Sequence, residues 1–564
     1  MAPGPVPSVT SCHDSPSGLP LRAPIVTVLA AVLLATPLAP GAVADPVGKG
    51  DPATAGPVAR AEAEAALDAA LALVPEDAAA RSRSAAPTQS ALVGRQATML
   101  LHEVMRTRGD LGPEDRERAD RLLARPTGSG DPYLDYGTAP TASHCDAVIC
   151  VHWVTDGSNR HAPDLTDSGG VAGVPDVVEE TLTTTRQVHD TYTGSGYRRP
   201  DPDGTKGGGS DLVDIYLGDI GDRGIYGYCT SDQPDPVEER WNRWAYCAID
   251  EDFRRSQFPT NTPRENRQVT LAHEYFHAVQ FAYDAFEDGW IMEATATWAE
   301  EQLFDGVDDN RFYLKYGQLR QPRLPLDEYD GGLAPYGQWI FFEYLTQRWD
   351  ATGTGTLPTI MLDIWEELSG RAGDPDAYST QAVQRALKDR GTHFTDVYGE
   401  FAAANRQPSR SYEEGRASAY KKARVTTSMK LRRSKRDSGL RRTTLDHLTH
   451  QAARFRTDDT TGSGWKLRVD VDLAGRASAP VAILMIKKTS GDVVYRTLKL
   501  SKRGEGTGRA PFRADSVKFV ELVLVNASRR TSCWDGGGSA DYACLGNPRD
   551  DFRRASYRAR VVRR

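Results

Sequence analysis

Two histidines four residues apart, with a glutamate directly after the first, stand in the stretch LAHEYFHAVQF, Leu271 to Phe281. On an α-helix, residues four apart share a face, so the imidazoles of His273 and His277 can reach one ion. Glu274, one position on, can reach a water at that ion without ligating it. Val269, Leu271 and Ala272 precede the pair, and Phe276, Val279 and Phe281 lie in or after it. This pattern predicts a buried helix, where two bare imidazoles and a carboxylate are costly unless paired. A metal would supply the partner. A catalytic zinc takes three protein ligands and keeps one position open. The third ligand is expected from a second element. The apolar helical stretch DGWIMEATATWAEE offers Glu293, with Glu300 seven residues further along the same face.

Together the two stretches read H-E-x-x-H, then W-[IL]-x-E-x-x-A-x-x-x-E at Trp290, Glu293, Ala296 and Glu300. This resembles the gluzincin metallopeptidases. HEYFHAVQFAYD with W-x-x-E-A-T-A-T-W-A-E is similar, more closely, to a group of exported bacterial proteins classed as metalloproteases. Those proteins also have a helical N-terminal segment and a C-terminal β domain. The resemblance is specific from about residue 210 to 345 and organisational elsewhere. It implies one catalytic Zn2+ held by His273, His277 and Glu293, with Glu300 orienting the site from behind the ligands. It also implies a protein or peptide substrate. Zinc would activate water near neutral pH, with Glu274 taking the proton and passing it to the leaving amine. A Tyr or His supplies the oxyanion donor in such enzymes, and Tyr336 in APYGQWIFFEYL is the candidate. An extended substrate adds to a strand edge in this clan. The short strand in WAYCAID, Ala245 to Asp250, is expected to be that edge. Ala294 stands where many gluzincins carry Gly, and the gap from His277 to Glu293 is short for the clan's aminopeptidases. No exopeptidase motif accompanies the site, so endopeptidase activity is the expectation.

Several elements must position these residues. A chain of 564 residues is too long for one ordinary domain and predicts two or three. At 39% apolar and 26% charged it can bury a sizeable core. A net charge of −8 gives no reason to expect nucleic acid as a partner. Residues 45–130 are rich in Ala, Glu and Arg with helical spacing, as in SALVGRQATMLLHEVMRTRG. They read equally as a propeptide or as a stable helical subdomain. Residues 140–415 are expected to form the α/β (α+β) metallopeptidase domain. Strand-like DAVICVHWV and DLVDIYLGDI flank a helical VPDVVEETLTTTRQVHDTYT, and a helical C-terminal lobe follows from about residue 290. Residues 416–442 read as a basic linker. Lys421 to Arg442 holds ten Lys or Arg and one Asp, which describes a solvated connector better than a patch for an anionic polymer. Residues 443–564 alternate short strands with turns and predict an all-β sandwich.

The N-terminus carries Arg22, an apolar run from Ile25 to Leu38 and AVA before Asp45. This describes a secretory signal peptide over 1–44, with no membrane span expected once it is removed. Cys12 lies within it. The other six cysteines form close couples, Cys145 with Cys150, Cys229 with Cys247, and Cys533 with Cys544. Even pairing in an exported chain predicts three local disulfides and an extracellular protein. Two other classes compete with the peptidase. One is a polymer-binding or adhesion protein with an inert metal site. The other is a zinc hydrolase of a non-peptide bond. Glu274 separates the first, because a structural metal site has no use for it.

Overall fold

The computed structural model describes residues 57–74, 94–128, 133–233, 241–329, 331–349, 357–533 and 542–563. The expected signal peptide, with its AVA site and Cys12, lies outside them. The described chain is a mixed α/β structure with several sheets. It opens with helices α1 (Pro57–Leu71), α2 (Ala97–Thr107) and α3 (Pro113–Leu122). Pro113 takes the first turn of α3, where its missing N–H costs nothing. These helices are not set apart from the rest. Leu101 and Val104 of α2 and Leu122 of α3 belong to the same buried cluster as the strands and helices that follow.

Five strands form the first sheet: β1 (Thr141–Cys145), β2 (Ile149–Val154), β3 (Val213–Gly218), β4 (Gly227–Thr230) and β5 (Tyr246–Asp250). Their order is β1-β2-β3-β5-β4. β2, β3 and β5 run parallel, with antiparallel β1 and β4 at the edges. Strands β2 and β3 are buried along their length, which is why ICVHWV and VDIYLG are near-continuous apolar runs. Helix α4 (Asp176–Gly194) makes the crossover between them. The expected edge strand is corrected here. β5, from WAYCAID, lies inside the sheet, and the edge is β4, disulfide-bonded to β5 through Cys229 and Cys247. The couples Cys145–Cys150 and Cys533–Cys544 are also disulfides.

Helix α5 (Pro263–Phe281) begins with a capping box. The Thr262 hydroxyl accepts from Glu265 N–H, and the Glu265 carboxylate accepts from Thr262 N–H, which satisfies two of the free donors at the helix start. Helix α6 (Gly289–Phe304) packs against α5 and is buried from Trp290 to Glu301. Its apolar residues point all round because it is an interior helix. Trp290 stacks on Phe342 at 5.8 Å between centroids, fixing α6 to the helices behind it: α7 (Ala334–Gly337), α8 (Trp339–Arg348), α9 (Thr359–Glu367), α10 (Thr380–Asp389) and α11 (Phe394–Ala404).

Two more sheets form the C-terminal part. One is ordered β11-β10-β13-β8-β6 and the other β12-β9-β16-β7. The first comprises β6 (Thr427–Lys430), β8 (Thr449–Arg456), β10 (Pro480–Lys488), β11 (Val493–Thr497) and β13 (Val517–Asn526). The second comprises β7 (Arg441–Leu445), β9 (Trp465–Asp472), β12 (Glu505–Pro511) and β16 (Arg553–Arg563). A small ladder, β14 (Thr531–Ser532) with β15 (Asn547–Pro548), stands beside them. Both large sheets contribute to one apolar cluster, with Leu467, Leu484, Leu522 and Val561 among its members, as in a sandwich. The basic stretch is not a free connector throughout. Thr427–Lys430 pairs in parallel with β8, and Arg441 and Arg442 open β7. Of its lysines and arginines, Lys430, Arg441 and Arg442 sit at exposed positions of these short strands, and the rest lie in the loops before and between them.

Candidate metal centre

Helix geometry sets the first two residues. His273 and His277, one turn apart on α5, hold their rings 4.8 Å apart. Helix α6 brings Glu293 against them. Its Oε2 lies 3.1 Å from His273 Nε2 and 3.9 Å from His277 Nε2. One ligand atom from each of His273, His277 and Glu293 lies within 4.8 Å of the others. The three residues are buried, His277 completely. His277 Nε2 and Glu293 Oε1 have no hydrogen-bond partner. Native interiors rarely leave such atoms bare, and a ligand is one of the standard reasons.

The surroundings orient these groups. His277 Nδ1–H donates to Gln280 Oε1 at 2.7 Å, and Gln280 Nε2 donates to Met292 O and to Thr295 Oγ1, each at 3.0 Å. The network fixes the Gln280 amide and leaves the His277 lone pair on Nε2, the atom facing Glu293. His273 Nδ1–H donates to Glu300 Oε1 at 2.6 Å. Carboxylate and amide partners behind a histidine are the usual means of holding its tautomer for a metal. Gln280 was not singled out from the sequence, although its position three residues after His277 on one helix face was a signal.

Burial, with the charge of His273 nearby, holds His277 well below the usual histidine range. It is therefore neutral, the form that ligates. Burial also opposes charge on His273, but its hydrogen bonds to Glu293 and Glu300 outweigh this and hold its pKa well above normal. Glu300 is itself pushed up to about 7 by burial. A plain ion pair would move the two partners in opposite directions. Here burial outweighs the pairing at Glu300, while at His273 the two carboxylates outweigh burial.

Glu274 points into the same cleft, which is lined by Thr270, His273, Glu300 and Tyr336 among others. Burial pushes its pKa up to about 7, a useful value for a base working near neutral pH. Edge strand β4 closes against it at Gly227, where a Cβ would come within 2.9 Å of Glu274 Cγ and 2.8 Å of Thr270 Cγ2. Tyr336 lies with its ring near-parallel to that of His273, 5.8 Å between centroids. Its hydroxyl donates to the main-chain oxygen of Arg95.

Two contacts from the N-terminal segment had no sequence signal. Thr98 Oγ1 donates to Glu274 Oε2 at 2.8 Å and accepts from the β4 amide of Cys229 at 3.0 Å. Arg95 reaches into the same cleft. Three other groups of His, Cys, Asp or Glu converge among the described residues. In one of them Cys150 is spent in a disulfide and Asp214 pairs with Arg125 and His152.

Comparison with protein-family models finds no match for the chain, and comparison with curated proteins finds none either. The functional reading therefore rests on the residues and their geometry.

Proposed function

We propose that the protein is an exported zinc-dependent metallopeptidase, an endopeptidase by preference, with His273, His277 and Glu293 as metal ligands. The observation that carries this reading is the meeting of three ligand atoms within 4.8 Å, two of the residues bearing buried polar atoms without partners, beside a second buried carboxylate, Glu274. The donor set of two imidazoles and one carboxylate suits zinc with a position left open. Zinc, when bound, would supply Lewis acidity, activating water near neutral pH and polarising a carbonyl.

The chain's own residues have separate tasks. Glu300 and Gln280 hold the two imidazoles in the tautomers and orientations described. Glu274, with its raised pKa, accepts a proton from water and returns it to the departing amine nitrogen. Tyr336 offers a hydroxyl for the oxygen of the carbonyl under attack; here that hydroxyl already holds a peptide oxygen, that of Arg95. Strand β4 offers backbone groups for an extended peptide. The three disulfides suit an oxidising compartment. Among the described residues no helix is long and apolar enough to cross a membrane. The test is hydrolysis of a quenched-peptide library by the purified chain, measured beside metal content. Hydrolysis abolished by Glu274→Gln with metal retained supports the reading. Hydrolysis unaffected by that change contradicts it.

A further inference from the structure

Arg95 belongs to the segment before α2, yet its guanidinium is held entirely by other parts of the molecule. Nη1 donates to Asp309 Oδ2 at 3.1 Å and to the Tyr313 hydroxyl, and Nη2 donates to the Tyr226 hydroxyl at 2.7 Å. The guanidinium carbon stands 4.2 Å from the ring centroid of Tyr226 and 5.2 Å from that of Tyr313. The side chain is only 14% exposed. Burying a guanidinium is costly unless a carboxylate and a matching fork of acceptors receive it, and aromatic faces add to the attraction. Tyr226 precedes β4, and Asp309 and Tyr313 lie on the short 3-10 helix Asp309–Lys315 after α6. Asn261 Nδ2 donates to Asp309 Oδ1 at 3.1 Å. The carboxylate is thus positioned without help from Arg95.

Around Arg95 the chain makes a turn that opens α2, and it meets the cleft through one carbonyl and two side chains. Tyr336 holds the Arg95 carbonyl oxygen. Thr98 occupies both the carboxylate of Glu274 and the Cys229 amide on the edge strand. At Gly94 an added Cβ would collide with the backbone of Gly224 and Ile225, so the segment enters the cleft without clearance. The residue whose carbonyl meets Tyr336 is the same residue whose side chain fills the pocket.

We propose that the Arg95 side chain lies where a side chain of the substrate lies, and that the pocket of Asp309, Tyr226 and Tyr313 recognises a basic side chain, arginine above lysine, of the peptide to be cleaved. The N-terminal segment then keeps the site shut until it is displaced. The inference rests on the metallopeptidase reading and adds a substrate class to it. Arginine is favoured because its planar fork reaches Asp309 and both phenols together, whereas an ammonium is a point charge.

The test uses the full chain with Arg95→Ala, and with Arg95→Gln as a second variant that fills more of the space. The probe is benzamidine, an amidinium that fits an aromatic pocket with a carboxylate. At about 5 mM it is expected to raise the melting temperature of both variants by about 2 °C and to leave the unsubstituted chain unchanged. Adding Asp309→Asn is expected to abolish the shift. No shift in either variant, with both still melting cooperatively, overturns the pocket. A second arm follows hydrolysis by the Arg95→Ala/Thr98→Ala chain. A peptide with the sequence of residues 91–100 is expected to be cleaved roughly 100-fold faster than its arginine-to-alanine twin. Equal rates overturn the substrate class. A chain that cleaves neither peptide contradicts the proposed function instead, and the benzamidine result then decides the pocket alone.

Discussion

At the junction between the helices and the sandwich, His447 is buried between two carboxylates. Its Nε2 meets Asp327 Oδ1 at 2.8 Å and its Nδ1 meets Asp551 Oδ1 at 2.7 Å. Further along the same junction, Glu521 of β13 accepts from Arg406 and from Arg454, each at 2.8 Å. No buried polar atom of these six residues lacks a partner. On α5 and α6 the same residue types, two histidines and several carboxylates, are buried as deeply. There His277 Nε2, Glu293 Oε1 and Glu300 Oε2 have none. These six residues satisfy one another and hold two parts of the molecule together, although His450 Nε2 and Asn405 Nδ2 on the same junction have no partner. In the α5–α6 cluster three such atoms are left without a protein partner, as the proposed metal site requires. Buried polar groups are costly in both places; what separates structure from function is where the satisfaction comes from.

The comparison can be broken at either end. The largest effect is expected at the α5–α6 cluster. Glu274→Gln should lower peptide hydrolysis by roughly 10²- to 10⁴-fold, the range for a positioned acid–base group, and leave metal content and melting temperature unchanged. At the junction, His447→Ala should cost roughly 3–5 kcal/mol of stability, because it strands a buried carboxylate. Denaturant unfolding would read this, with metal content unaffected. A junction variant that lost metal but not stability would reverse the two roles.

The junction should also respond to pH. Burial disfavours charge on His447, but Asp327 and Asp551 outweigh it and raise its pKa to about 10. Hydrogen bonds from His447 in turn hold Asp551 below the usual carboxylate range against its burial. A folded pKa above the unfolded value of about 6.5 gives stability that is complete below that pH and is lost as pH rises toward 10. Unfolding free energies from urea titrations between pH 6 and about 10 should fall in the unsubstituted chain, by no more than a few kcal/mol in total, and fall less in His447→Ala. The smallest effect returns to the α5–α6 cluster. Glu300→Ala removes only the carboxylate behind His273, so it should weaken metal affinity or rate by roughly 10- to 100-fold and keep the fold.

How legible this was depends on how local each feature is. The placing of His273 and His277 one turn apart, with Glu274 beside them, follows from spacing on a single helix. Glu293 needed only the next helix and its tryptophan. The edge of the sheet was not legible, because β4 and β5 are both short and apolar, and an edge is defined by the partner a strand lacks. In β16 the arginines hid a strand whose inward residues, Ala555, Tyr557, Ala559 and Val561, alternate correctly. β6, Thr427–Lys430, is only four residues long and lies within the basic stretch, which hid it. Arg95 and Thr98 were beyond reach, since their partners lie 131 to 241 residues away in the chain.

The central claim is that the α5–α6 cluster binds a metal through His273, His277 and Glu293. Elemental analysis of the purified chain after equilibration with zinc and removal of free ion tests it most directly, run beside Glu293→Ala and Glu300→Ala. One zinc per chain is expected in the unsubstituted protein, with most retained in Glu300→Ala and essentially none in Glu293→Ala. A chain that takes up no zinc, or a Glu293→Ala variant that binds it as well as the parent, would contradict the claim.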